Sequence, residues 1–143
     1  MLTLRSISVT NERKGPAMIE TVIRGSEAPQ FRQDGTHVVG YASPTRGSEA
    51  VSAWKVALDP GAASPSHELT HGEVFIVLDG RARFDIEGRR HELGAGDAIC
   101  VPPRTWFAVS NDGEERFTAV CCMAAGGQAR IGDGDPFPIP WAE

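Results

Sequence analysis

The chain has 143 residues, of which 41% are hydrophobic and 23% charged, and its formal net charge is -5 at pH 7. That length fits one domain with a single buried core, and the composition is that of ordinary globular proteins. A nucleic-acid surface needs clustered positive side chains, which this charge balance disfavours. No apolar run of roughly 18 residues is present to cross a bilayer. We therefore expect neither nucleic acid nor a membrane as a partner.

The three cysteines are Cys100, Cys121 and Cys122. They have no zinc-type spacing and do not make an even disulfide set. We expect them to be small buried apolar side chains in a reducing compartment, and we expect the protein to be cytoplasmic.

The first third of the chain, residues 1–49, is expected to form an N-terminal arm and the first strands. Residues 1–17 are polar and are interpreted as a loosely held arm or an extra strand. His37 follows the turn signal Asp34-Gly35 and precedes two valines, so it is predicted to open an early strand.

The middle of the chain, residues 50–125, shows strand and turn patterns and no sustained helical period. Strands are predicted at residues 50–58, 74–78, 81–87, 98–101, 106–110 and 116–122. The run 74–78 is apolar throughout and is predicted to be buried on both faces, whereas 81–87 alternates apolar and polar residues. Short strands at roughly ten-residue spacing indicate an all-β sandwich or barrel.

The C-terminal tail, residues 126–143, is loop-like, with three prolines interleaved with Phe137, Ile139 and Trp141. Proline cannot extend a central strand. We expect the tail to lie extended over the barrel or over a partner subunit and to bury Phe137 and Trp141.

Two spaced motifs carry the strongest signal, joined by a predicted hairpin. The first comprises Gly61, His67, Leu69, Glu73 and Gly80, and the second comprises Gly96, Asp97, Pro102, Phe107 and Asn111. This spacing resembles the paired motifs of the cupin family. The resemblance implies a single all-β domain, a cupin-type jelly-roll β-barrel (double-stranded β-helix). It also implies a homodimer, with the N-terminal arm or the tail at the interface.

Cupins often hold one metal ion among three histidines and a glutamate. By that resemblance, His67 and Glu73 fill two ligand positions, and Leu69 and Phe107 fill the other two, where they cannot bind a metal. His71 has the same parity as His67 and Glu73, so these three residues are predicted as a set of two histidines and one carboxylate. Such a set suits Fe, Mn or Zn. The alternative for His71 is an exposed turn position without a role. No organic cofactor is expected.

Phenylalanine at position 107 also changes the expected cavity. An interior with Phe107, Leu69 and Phe75 favours apolar or aromatic small molecules. Glu73 would be desolvated there and its pKa raised, which suits a general acid or base with His67 as its proton-transfer partner.

Other polar residues around the motifs are predicted to be structural. His91 is expected at the surface of a hairpin, and Asp97 is expected to cap a turn. Glu68 is expected to point to solvent, away from His67.

Two functional hypotheses follow. In the first, the protein is an enzyme in which His67 and Glu73 are catalytic. It binds a divalent metal and acts on a small apolar or aromatic substrate by oxygenation, isomerisation or cyclisation; without metal, His67 and Glu73 do acid-base work. In the second, it is a degenerate, metal-free cupin that binds a small-molecule ligand without turnover. The retained His67 and Glu73 favour the first hypothesis, whereas Leu69 and Phe107 favour the second.

Overall fold

The computed structural model describes residues 21–143, so the predicted N-terminal arm, residues 1–17, lies outside the described residues. The strands in the described part are β1 Gln30–Gln33, β2 Thr36–Ala42, β3 Val51–Leu58, β4 Glu68–Leu69, β5 Glu73–Asp79, β6 Arg81–Ile86, β7 Arg89–Gly94, β8 Ala98–Val101, β9 Phe107–Ser110, β10 Phe117–Ala124, β11 Gln128–Arg130 and β12 Phe137–Pro138. Short 3-10 turns occur at Pro44–Arg46 and Pro140–Ala142. None of the helical segments from residue 21 onward is long and apolar enough to cross a membrane.

The strands pair antiparallel in one large and two small sheets. The six-stranded sheet has the order β1-β2-β3-β10-β5-β8, and the three-stranded sheets have the orders β12-β11-β4 and β7-β6-β9. Alternate residues of each strand point inward, and side chains from all three sheets join in one hydrophobic core. On β10, for example, Cys121 lies opposite Trp54 of β3 and Phe75 of β5. The predicted all-β jelly-roll class is confirmed.

The sequence pattern located most of the strands between residues 50 and 125 but misjudged the burial of one of them. Strands were predicted at residues 50–58 and 74–78, and the structure has Val51–Leu58 and Glu73–Asp79 there. The prediction that the second run is buried on both faces is wrong. Phe75 and Val77 point into the core, whereas Ile76 and Leu78 are 44% and 45% exposed. Their side chains lie on the outer face of the six-stranded sheet, away from the core.

The exposed side of this sheet continues onto its edge strand β8. Ala98 lies opposite Ile76, and Cys100 lies opposite Val74. Both β8 residues are exposed. We call Val74, Ile76, Leu78, Ala98 and Cys100 the outer patch. Cys100 is therefore not the buried cysteine that the sequence predicted, because it occupies an outward position of an edge strand, whereas Cys121 is fully buried.

Several polar residues occupy the structural positions predicted for them. His91 is exposed on β7, and Asp97 accepts a hydrogen bond from the Gly94 amide at 2.9 Å. Glu68 differs from its prediction, because its side chain is only 13% exposed and pairs with Arg130, whose Nε lies 2.6 Å from the carboxylate. The pairing of β4 with β11 sets these two side chains opposite each other.

The tail packs on its own chain. Phe137 and Trp141 are 9% and 7% exposed within a single copy, with Phe137 on the edge strand β12. Their burial therefore requires no partner subunit.

Asn111 joins the end of β9 to the end of β3. Its side chain is fully buried, and Nδ2 donates to the carbonyls of Leu58 and Glu115 at 2.9 and 2.8 Å. Oδ1 accepts a hydrogen bond from the Gly113 amide at 3.0 Å. These three hydrogen bonds tie the loop that follows β9 to the end of β3.

We expect Asn111→Ala to lower the free energy of unfolding by roughly 2–4 kcal/mol, because it removes three hydrogen bonds made by a fully buried side chain. Urea denaturation measures this change. Asp112→Ala is the control, since its exposed ion pair with Arg83 is expected to contribute less than about 1 kcal/mol. Equal losses in the two variants would contradict the role of Asn111.

Candidate active site

A cavity of about 80 Å³ lies between the six-stranded sheet, the segment leading into β4, strand β9 and the tail. Its wall is mainly apolar and includes Val38, Trp54, Val56, Leu69, Phe75 and Val109. Polar side chains also line it: Thr36, Ser64, His67 and Glu73. The Ser64 hydroxyl already accepts a hydrogen bond from the Val109 amide at 2.9 Å. His67 and Glu73 are the titratable groups that face this space.

Glu73 is the first residue of β5 and points into the core. Its neighbours across the sheet are Met123 on β10 and Val101 on β8, and only 5% of its surface is exposed. Loss of hydration disfavours the charged carboxylate and raises the pKa of Glu73 to about 8, and a hydrogen bond from the Cys121 thiol opposes this rise only partly. At neutral pH the carboxyl is therefore mostly protonated and is a proton donor.

His67 lies just before β4, where its backbone pairs with Phe107. The His67 amide donates to the Phe107 carbonyl at 3.0 Å, and the Phe107 amide donates back at 2.9 Å. The imidazole packs on the Phe107 ring with the centroids 4.3 Å apart. Its Nδ1 lies 2.8 Å from the carbonyl of Pro65, which can only accept, so Nδ1 carries the proton in the neutral ring. Nε2 is then left with a free lone pair.

The surrounding protein changes the proton affinities of these two groups in opposite directions. Burial lowers the pKa of His67, so the ring stays neutral at pH 7, and burial raises the pKa of Glu73. Two titratable groups with pKa values moved apart are typical of an acid and a base that work together. The structure brings the two predicted catalytic residues to one cavity; their catalytic role remains a prediction.

His71 does not join them. It lies in the connection between β4 and β5, where its Nδ1 is 2.9 Å from the Thr70 hydroxyl, and it is not among the residues that line the cavity. Within residues 21–143, no three His, Cys, Asp or Glu side chains lie close enough together to hold a metal ion. The predicted ligand set of His67, His71 and Glu73 is therefore not assembled. Since catalytic metal sites use about three protein ligands, the donors that face this cavity do not fit one.

Sequence reasoning missed part of the site. Phe107 lies behind His67 rather than in the cavity wall, and Cys121 contacts the Glu73 carboxyl. The alternation of β10 places Cys121 inward, but its meeting with Glu73 follows from the pairing of β10 with β5. Trp141 was expected to be buried, yet nothing in the sequence placed it on the cavity.

Known proteins share this architecture. An RmlC-like cupin from Shewanella frigidimarina superimposes with a TM-score of 0.65 at 19% identity, over 75% of this chain and 92% of that one. The polyketide cyclase RemF from Streptomyces resistomycificus superimposes with a TM-score of 0.69 at 15% identity, over 86% of this chain and 91% of that one. At these identities the likeness shows the fold alone.

At the level of sequence, the chain is 29% identical over 96 residues to the endoribonuclease YbeY of Myxococcus xanthus. The match covers 65% of this chain but 33% of that protein, so this chain spans about a third of the length of that curated relative. Residues 54–123, which contain both spaced motifs, match the Cupin domain family. The chain carries a cupin domain and is a member of the cupin family.

Proposed function

We propose that this protein catalyses proton transfer on a small, mainly apolar carbonyl compound, with His67 as general base and Glu73 as general acid. The observation that carries the proposal is the opposite direction of the two pKa changes in one apolar cavity. An acid and a base are most effective when their pKa values lie near the working pH. Isomerisation and cyclisation both begin with this kind of step.

The chemistry follows from the protonation states. His67 Nε2 takes a proton from the carbon next to the carbonyl, while the Glu73 carboxyl gives its proton to the carbonyl oxygen, so that a neutral enol forms. For isomerisation, the imidazolium returns its proton to a different carbon and the enol hydroxyl returns its proton to Glu73. The residues end as they began. An intramolecular cyclisation also starts from this enol, and cyclisation is what the name of the polyketide cyclase RemF describes.

The size of the cavity restricts the substrate. Drug-sized ligands occupy pockets of roughly 300–1,000 Å³, and benzene occupies a cavity of about 150 Å³. A cavity of about 80 Å³ is about half of the latter volume, so it favours a compact molecule smaller than a six-membered ring.

The direct test is the isomerisation of the β,γ-unsaturated form of cyclopentenone to its conjugated form, followed by ultraviolet absorbance. Saturable turnover is expected. A rate equal to that of buffer would contradict the proposal. Saturable binding without turnover would instead favour the alternative, a ligand-binding cupin, which the apolar side chains of Leu69 and Phe107 support.

A resident metal is a separate question with its own measurement. The finding that His71 is apart from His67 and Glu73 leads us to expect substoichiometric iron, manganese and zinc in untagged protein purified without chelator. Elemental analysis beside a His67→Ala, Glu73→Ala double variant tests this expectation. Near-stoichiometric metal that disappears in the double variant would contradict it and would restore the oxygenation hypothesis.

The proposal extends to assembly and location. Three free cysteines, Cys100, Cys121 and Cys122, support a reducing compartment such as the cytoplasm. The outer patch supports a homodimer with a two-fold axis, because β8, an edge strand of the sheet formed by residues 21–143, lies beside the exposed Ile76 and Leu78. A dimer of this kind would use neither the tail nor its buried aromatic residues.

We expect an Ile76→Lys, Leu78→Lys double variant to be monomeric under conditions in which the unaltered chain is dimeric. Analytical ultracentrifugation over a range of concentrations measures this. Val22→Lys is the matched control, because Val22 is 51% exposed and lies outside the sheets. A dimer that survives the double substitution would place the interface elsewhere.

A further inference from the structure

The tail contributes a fixed wall to the cavity through Trp141. Its ring packs on Phe31 and Trp54, with centroids 5.7 and 6.4 Å away. The Trp141 carbonyl accepts a hydrogen bond from Arg46 Nη2 at 2.7 Å, and the Ala142 carbonyl accepts one from the buried Ser52 hydroxyl at 2.7 Å. These contacts hold the indole in one position.

The same indole has an unused donor. In the part of the chain from residue 21 onward, the buried side-chain polar atoms without a hydrogen-bond partner are Thr36 Oγ1, Ser110 Oγ and Trp141 Nε1. Thr36 and Trp141 both line the cavity and are 6% and 7% exposed. An indole N–H can only donate, and a buried donor without an acceptor is unfavourable. Two residues of the cavity wall thus each carry a polar atom that no other group of residues 21–143 satisfies.

The two unpaired atoms belong to different ends of the cavity. Trp141 contacts Trp54, which lies opposite Cys121, and the Cys121 thiol donates to Glu73. Thr36 lies opposite Leu58, four residues further along β3, which corresponds to roughly 13 Å. Trp141 therefore lies toward the Glu73 end of the cavity.

We infer that the Trp141 indole N–H binds the carbonyl oxygen of the substrate, so that the cavity selects small ketones, aldehydes or esters over hydrocarbons of the same shape. Thr36 then serves a second polar group, when the ligand has one, at the far end. The inference rests on the proposed function, because it treats this cavity as the substrate site. A donor fixed at that oxygen also stabilises the negative charge that develops there as the neighbouring carbon loses its proton.

The experiment compares cyclopentanone with methylenecyclopentane, which has a CH2 group in place of the oxygen. Their affinities are measured by NMR titration of isotope-labelled protein, in which the indole N–H signals of the three tryptophans are assigned with single Trp→Phe variants. Cyclopentanone is expected to move the Trp141 signal downfield, whereas methylenecyclopentane is not. Trp141→Phe is expected to weaken cyclopentanone binding about tenfold, as for the loss of one buried hydrogen bond, and to leave the hydrocarbon within about twofold. Trp106→Phe is the control, because Trp106 lies against Arg130 outside the cavity.

Four outcomes would overturn the inference. These are equal weakening of both compounds by Trp141→Phe, an indole signal that cyclopentanone does not move, a water molecule still bound at the indole in the ketone complex, and no saturable binding of cyclopentanone. The signal shift is measured on the unaltered chain, so it stands even if Trp141→Phe fails to fold. A ketone that binds at Trp141 but is not turned over would overturn the proposed function and leave this inference intact.

Discussion

Replacement of Glu73 with glutamine is expected to lower kcat for cyclopentenone isomerisation by at least about 100-fold, because the amide keeps the shape of the side chain but has no proton to give. The unaltered enzyme should show a bell-shaped dependence of kcat/KM on pH. Activity rises as His67 becomes neutral, at a pH below 6.5, and falls as Glu73 loses its proton, at about pH 8. The variant should lose the alkaline fall.

Glu92→Gln is the matched control for this experiment, since Glu92 is exposed on β7 and far from the cavity lining. It should retain the rate and the pH profile of the unaltered enzyme. If Glu73→Gln also kept the alkaline fall, a group other than Glu73 would be the acid, and the assignment of roles would be wrong.

The stability of the protein should fall as the pH rises through the weakly acidic and neutral range. The pKa of Glu73 is 4.5 in the unfolded chain and about 8 in the folded chain, so the folded chain holds one more proton between these values. The stability linked to this proton is fully present below pH 4.5 and is lost as the pH approaches about 8. Linkage converts the difference into a loss on the order of 5 kcal/mol of unfolding free energy.

Urea denaturation from about pH 5 to about pH 9, on the unaltered chain and on Glu73→Gln, measures this effect. His67 acts in the opposite direction, because its pKa is lowered on folding and its contribution grows as the pH rises toward 6.5. Subtracting the unfolding free energy of Glu73→Gln from that of the unaltered chain at each pH removes the contribution of His67. If the unfolding free energies of the two proteins changed with pH in parallel, Glu73 would not take up a proton on folding.

Local patterns in the sequence were sufficient for the architecture. Period-two alternation and glycine-rich turns depend on residues close together in the chain, and they predicted six of the eight strands from Val51–Leu58 to Phe117–Ala124 nearly to their ends. The strands Glu68–Leu69 and Arg89–Gly94 were not predicted. Parity along one segment also placed His67 and Glu73 on the inner side, where the cavity lies. Spacing predicted these features because each is decided within a few residues.

The same parity argument was insufficient for His71, since the connection before β5 does not continue the alternation and takes that imidazole to Thr70. The apolar composition of residues 74–78 was insufficient for Ile76 and Leu78, whose exposure depends on whether another element covers the outer face of the sheet. An apolar run contains no information about what packs against it.

The chemistry of the site was decided by tertiary structure. Glu73 on β5 contacts Cys121 on the adjacent strand β10. Trp54 contacts Trp141, although the two residues are far apart along the chain. The sequence by itself determined a cupin jelly roll with a histidine and a glutamate facing inward. Only the folded chain decided how far each pKa moves and which predicted metal ligand lies apart from the other two. It also decided which hydrogen-bonding groups have no partner. These properties depend on desolvation and hydrogen bonding by neighbours that are distant in the chain.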